Sequence, residues 1–302
     1  MNLTMYDNDA RVECYLWDES HGKRGSCEIS LCLMKYVRAL PTEVKHLVSW
    51  SDTCSGQNRN QYVNAAMVYL VNSPDTSVDL IDLKYLESGH TYMECDSIHA
   101  KIEKTKKYKC IFTTSEMRMI IESARMNPCP YNVNVLDFSE FYDTKKLAKE
   151  IVVNHNLYWG VHSMESVHFL HVKWSHFQRN SREIQFKYEY NDEFQTFPFL
   201  QKMSKQKKAT TGAPKKIEKS VEKSILQQIA RRKIVPQQLY SSRLPINSDK
   251  KNDLISLVDD GSVPPVYRDF FSNIPACKKV RDSAVHAEGQ VAEEYEIEEV
   301  YF

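Results

Sequence analysis

Two polar clusters hold the residues best suited to chemistry. In VSWSDTCSGQNRNQYVNAAMVYLV (48–71) an apolar strand pattern runs into Asp52, Cys54, Gln57, Asn58 and Asn60 before an amphipathic helix pattern begins. A carboxylate just outside the carboxyl end of a buried strand can face solvent and ligand. Followed by amide side chains, it suits a divalent-metal site for phosphoryl chemistry. The alternative is local: Asp52 opens a turn, and Asn58 or Asn60 caps the helix. The second cluster, GHTYMECDSIHAKIEK (89–104), supplies His90, Glu94, Asp96, His99 and Glu103. A helix starting near Ser97 would put Asp96 at its cap and His99 and Glu103 on one face. Transfer or hydrolysis at a phosphodiester needs carboxylates that hold Mg2+ or Mn2+ beside the attacking and leaving oxygens. Asp52 and Asp96 are the candidate metal ligands, and Glu103 and His90 are further candidate catalytic groups. The local alternative again stands, with Asp96 as a cap and His90 satisfying a buried carbonyl. A zinc set built from Cys54, His90, Cys95 and His99 has no standard spacing, and nothing visible in the sequence lowers the Cys54 pKa enough to make it a nucleophile.

The chain that must position these groups has 302 residues, enough for one large or two modest domains. Its 42% apolar and 26% charged residues describe a globular protein with a real core. No run reaches the length of a membrane helix, and the N-terminus lacks a signal-peptide pattern. Eight scattered cysteines form no C-x-x-C pair and suggest reduced thiols, hence nucleus or cytoplasm. The formal net charge is zero, yet Gln201–Lys251 carries fourteen Lys and Arg against three acids, whereas Asp282–Phe302 holds seven acids and no Lys or Arg. A basic block favours a polyanionic partner, and Lys215, Lys216, Arg231, Arg232 and Lys233 are its candidate nucleic-acid contacts. A solvated linker is the competing explanation.

Residues 2–6 and 11–17 read as a hairpin around Asp7–Asp9. Helices are expected over 26–40, capped by Ser26, and over 60–71, with strands over 45–50 and 78–86 and a polar helix over 97–107. A further helix is expected near 115–125. Residues 166–174 and 182–190 read as antiparallel strands, and KWSHFQRNSREIQFKYEY interleaves Trp174, Phe177, Arg179, Arg182 and Phe186 as a single-strand binder might. Those aromatics could equally be strand core. A basic helix from Ile217, a helix capped by Asn247 or Ser248 and ended by Gly261, and a short helix in PPVYRDFF complete the pattern.

WDESHGKRGSCEI, SDTCSGQNRN, GHTYMECDSIHAKIE and PINSDKKNDLISL together resemble a transposon-derived domain family of unassigned function, over roughly Asn2–Ile274. That family is similar to ribonuclease H-like transposase and integrase cores. The resemblance implies an α/β fold, a mixed sheet with flanking helices, plus a β-hairpin and a helical C-terminal extension. With it the chain reads as a core over 1–155 and a β-rich extension over 156–200, while composition and periodicity mark a basic linker over 201–216, a small basic helical region over 217–275 and an acidic disordered tail over 276–302. The resemblance places Asp52 at the fourth strand, and Asp96 or Glu103 as the last acid. Only two strands precede the first helix, so the central first strand and its acid are expected to be missing, with truncation before Met1 the favoured explanation. The implied function is a metal-dependent nuclease or transposase-like core acting on or binding DNA, impaired by the missing acid. A non-catalytic nucleic-acid or protein binding module is the alternative.

Overall fold

The computed structural model describes residues 2–6, 11–87, 93–151, 167–181, 183–198 and 226–279. In chain order the elements are β1 (Asn2–Tyr6), β2 (Val12–Leu16), α1 (Ser26–Arg38), β3 (His46–Ser51), α2 (Gln61–Asn72), β4 (Leu80–Tyr85), α3 (Glu94–Lys106), α4 (Thr114–Ser123), β5 (Asn132–Val135), α5 (Thr144–Ile151), β6 (Trp174–Gln178), β7 (Glu183–Lys187), β8 (Gln195–Pro198), β9 (Ile246–Asn247), α6 (Ser248–Asp259), α7 (Arg268–Ser272) and β10 (Ala276–Cys277). The class is mixed α/β. The chain divides into two compact units, one drawn from residues 1–24, 92–141 and 239–302, the other from residues 25–91 and 142–238. No described helix is long and apolar enough to cross a membrane.

In the first unit β1 and β2 form the expected antiparallel hairpin, and β2 also pairs in parallel with β5. The sheet's apolar positions Val12, Cys14, Leu16 and Val133 pack with Ile98 and Ile102 of α3 and Ile121 of α4. Asn247 caps α6 by accepting from the Asp249 N–H at 2.7 Å, and Gly261, at φ +80°, follows its end as the sequence pattern predicts.

The second unit is a five-stranded sheet in the order β3-β4-β6-β7-β8. Its β3–β4 pair is parallel and the remaining pairs are antiparallel. One face is the core: Ile81, Leu83 and Tyr85 of β4, Phe177 of β6, Ile184 and Phe186 of β7 and Phe197 of β8 pack with Met34, Met67, Leu70 and Leu147 from α1, α2 and α5. Alternation with period two assigns the intervening side chains to the other face.

Three local expectations need correction. Gly25, not Ser26, is the N-cap of α1, and its N–H donates to Glu28 Oε2 at 3.0 Å, so the cap bond comes from the helix's own first turn. The helix α3 starts at Glu94, which moves Asp96 from the cap to the third helical position. The strand expected over 166–174 begins only at Trp174. Residues 169–171 form a 3-10 turn that turns Phe169 inward, with its ring edge-on to Phe197 at 5.8 Å.

The two faces of this sheet should respond differently to truncation. Phe186→Ala removes a fully buried ring and is expected to cost about 3–5 kcal/mol. Trp50→Ala, on the opposite face and 48% exposed, is expected to change stability by only about 0.5 kcal/mol. Urea unfolding followed by far-UV circular dichroism measures both.

Candidate nucleic-acid interface

The residues singled out for metal chemistry are distributed as follows. Asp52 lies one residue beyond β3 in the second unit, whereas Asp96 and Glu103 lie on α3 in the first. His90, Lys215 and Lys216 lie outside the described residues. The Asp52 carboxylate accepts from the Asn58 side-chain amide and from the Cys54 N–H, and the Cys54 carbonyl accepts from three following N–H groups, so this segment closes on itself. Asn60 is the N-cap of α2, accepting from Tyr62 and Val63 at 3.0 and 3.1 Å. The amides of the opening cluster therefore fix a loop and start a helix. Asp96 Oδ2 accepts from the Met93 N–H at 2.9 Å in a capping box, and Glu103 pairs with Lys106 at 2.6 Å. Among the described residues no group of three or more His, Cys, Asp or Glu is arranged to hold a metal ion. Burial, with the Asp52 charge beside it, pushes the Cys54 thiol up and away from thiolate character.

Of the basic candidates that are described, Arg231 and Lys233 are exposed, and Arg232 pairs with Asp75 at 2.5 Å. Arg179 is structural: Nε binds Asp79 at 2.6 Å while Nη2 donates to the carbonyls of Thr76 and Val78. Phe177 and Phe186 are core. Trp174 is not, because it alternates onto the opposite face of β6.

That face has an ordered composition. Strand pairing puts Trp50, Lys84, Trp174 and Lys187 in one row across β3, β4, β6 and β7. Lys84 Nζ stands 3.8 Å from the Trp174 ring centroid and 5.1 Å from that of Trp50, and Lys187 Nζ stands 5.0 Å from Trp174 and 4.4 Å from Phe194. Tyr190 packs on Trp50 with centroids 5.8 Å apart. The row thus alternates π-face and cation at the inter-strand spacing of about 4.8 Å. Among the described residues neither lysine is paired with a carboxylate.

One row along, Val48, Asp82, His176 and Gln185 are in register. Asp82 is 2% exposed, in the middle of β4. Its carboxylate is bonded by His46 Nε2 at 2.6 Å, His176 Nδ1 at 2.7 Å and Trp174 Nε1 at 2.7 Å. Burial by itself would raise its pKa, but these three donors outweigh that and hold it down at about 2. An ionised carboxylate only accepts, so both histidines donate to it. That fixes their tautomers and leaves His46 Nδ1 and His176 Nε2 as the remaining ring nitrogens. No other described group bonds either one. The reading of the sequence missed Asp82, His46, Lys84 and Trp50. An acid at the centre of the apolar run VDLIDLKYL, between Ile81 and Leu83, was the available signal.

A family model described as Domain of unknown function (DUF7869) matches residues 12–189. The chain belongs to this family. No curated protein and no solved structure matches it. The family span contains Trp50, Asp82, Lys84, Trp174, His176 and Lys187, so the whole row and its anchor lie inside the family domain.

A carboxylate depressed in the folded state stabilises above its unfolded pKa and loses that contribution as pH falls through the folded value. Asp82 should therefore contribute its full share above an unfolded value of about 3.8, and the share should vanish as pH approaches about 2. Urea unfolding of the protein and its Asp82→Asn variant should show a stability gap that is level above pH 4 and narrows below it.

Proposed function

We propose that the second unit binds single-stranded nucleic acid on the outer face of its sheet. The observation that carries this reading is the registered row Trp50–Lys84–Trp174–Lys187, flanked by Phe194 and Tyr190. Aromatic faces take bases of any sequence, and lysines between them meet the phosphates that join those bases. Exposed Trp50 and Phe194 offer the apolar surface for it. Arg231 and Lys233, with the basic stretch that contains Lys215 and Lys216, would add phosphate contacts without reading sequence. Nucleus or cytoplasm is the compartment this reading implies.

The second reading is a metal-dependent nuclease or strand-transfer core of transposon origin acting on DNA. It is supported by Asp52 one residue past a strand that runs parallel to its neighbour. This reading requires Mg2+- or Mn2+-dependent nicking that is lost in Asp52→Asn and Asp96→Asn while binding persists.

Fluorescence anisotropy with a labelled single-stranded oligonucleotide tests the binding reading. Trp50→Ala and Phe194→Ala should each weaken binding by about 5- to 150-fold, the equivalent of about 1–3 kcal/mol per stacked base. Lys84→Gln should lower the slope of log affinity against log salt by about 0.7. Unchanged affinity in all three variants would remove the outer face from consideration.

A further inference from the structure

We propose that His46 and His176, held by Asp82, form an acid–base pair that cleaves single-stranded RNA by transesterification without a metal ion. The inference rests on the binding reading above, since the substrate must first lie on the Trp50–Lys84–Trp174–Lys187 row.

The geometry supplies each part. Asp82 bonds one ring with each of its oxygens, at 2.6 and 2.7 Å, so the two imidazoles flank a single carboxylate from β3 and β6. The proposed step requires one ring to carry the proton that is given and the other to be neutral and accept one, a state in which a single imidazolium balances the buried carboxylate. The rings' unengaged nitrogens, His46 Nδ1 and His176 Nε2, are the atoms available for transfer, and the side chains are 46% and 18% exposed. The other charged groups on this face of the adjoining strands are Lys84 of β4 and, on β7, Lys187 and the exposed Glu183, which lies two residues along from Gln185. The two lysines attract a phosphate. Lys84 lies two residues along β4 from Asp82, on the same face, where it can meet the non-bridging oxygens as charge builds on phosphorus.

The reaction balances without a further reactant. The neutral imidazole takes the proton of a ribose 2′-hydroxyl, and that oxygen forms a bond to phosphorus. The bond from phosphorus to the 5′-oxygen breaks, its electron pair leaves with the oxygen, and the imidazolium protonates it. The products are a 2′,3′-cyclic phosphate and a 5′-hydroxyl, and the two rings exchange protons with water to reset. Asp82 acts through the histidines as a positioning residue, fixing tautomer and ring orientation.

The test incubates the full chain with a labelled single-stranded RNA in excess EDTA, alongside the same sequence as DNA. Expected are RNA fragments ending in 2′,3′-cyclic phosphate and no cleavage of the DNA. His46→Ala and His176→Ala should each lower the rate by about 100-fold or more while still binding the DNA oligonucleotide, which also reports that they are folded. Asp82→Asn should lower kcat with KM for the RNA unchanged. Binding of both oligonucleotides without cleavage of RNA in EDTA, or cleavage at the same rate in the histidine variants, overturns this proposal and leaves the binding reading standing. Failure to bind either oligonucleotide overturns both.

Discussion

A carboxylate cannot stay ionised in the middle of a sheet unless donors reach it, and that requirement at Asp82 organises the second unit. The donors come from the strands on either side: His46 from β3, and Trp174 and His176 from β6. Three strands are thereby pinned in one register, across a parallel pairing and an antiparallel one. A slip of one residue would reverse every side chain and carry His176 into the core while Phe177 went outward. Removing one donor would leave a buried charge short of partners, an outcome far costlier than the loss of an ordinary surface contact. The inner core, the alternation of faces and the outer row all depend on this anchor.

What the anchor leaves outside is not the arrangement that stability alone would favour. Parallel strands are usually covered on both faces, yet no side chain of β3 is buried. Val48 and Trp50 are 41% and 48% exposed. Burying such a side chain is worth about 1.5–3 kcal/mol, whereas a cation over an exposed ring returns about 0.5–1 kcal/mol. The lysine contacts therefore recover only part of what coverage would supply. A ligand with flat apolar faces and a negative backbone would make good both deficits, since it satisfies the rings and, at Lys84 and Lys187, two ammonium groups that meet no carboxylate among the described residues.

Most of the elements were legible because their signals are local. The antiparallel pairing of β1 with β2, the periodic apolar stripe of α1, the Asn60 cap of α2 and the Asn247 and Gly261 punctuation of α6 each rest on a few neighbouring residues, and the structure repeats them. The outer row was not legible, because its members come from four strands and become neighbours only through pairing. Trp174 shows the difference. Beside Phe177 and Phe186 in the sequence it reads as one of a group of strand aromatics, but it sits at the opposite parity and so belongs to the opposite face. Asp96 shows a smaller failure: helix starts shift by a few residues, and a shift from Ser97 to Glu94 changes a cap into a third-position acid.

The contrast between Asp52 and Asp82 bears on how polar residues should be weighed. A carboxylate at the end of a strand has nearby backbone groups that lack partners, and loops recruit such side chains routinely. Asp52, bonded to Asn58 and to the Cys54 N–H, meets that ordinary need. A carboxylate in the middle of a paired strand has no such need to meet, because the ladder already satisfies the backbone around it. Asp82 stands where an apolar residue would suffice, and it draws two histidines and a tryptophan into a costly buried arrangement. Local structure accounts for the first acid. The second is explained by the face it holds in place.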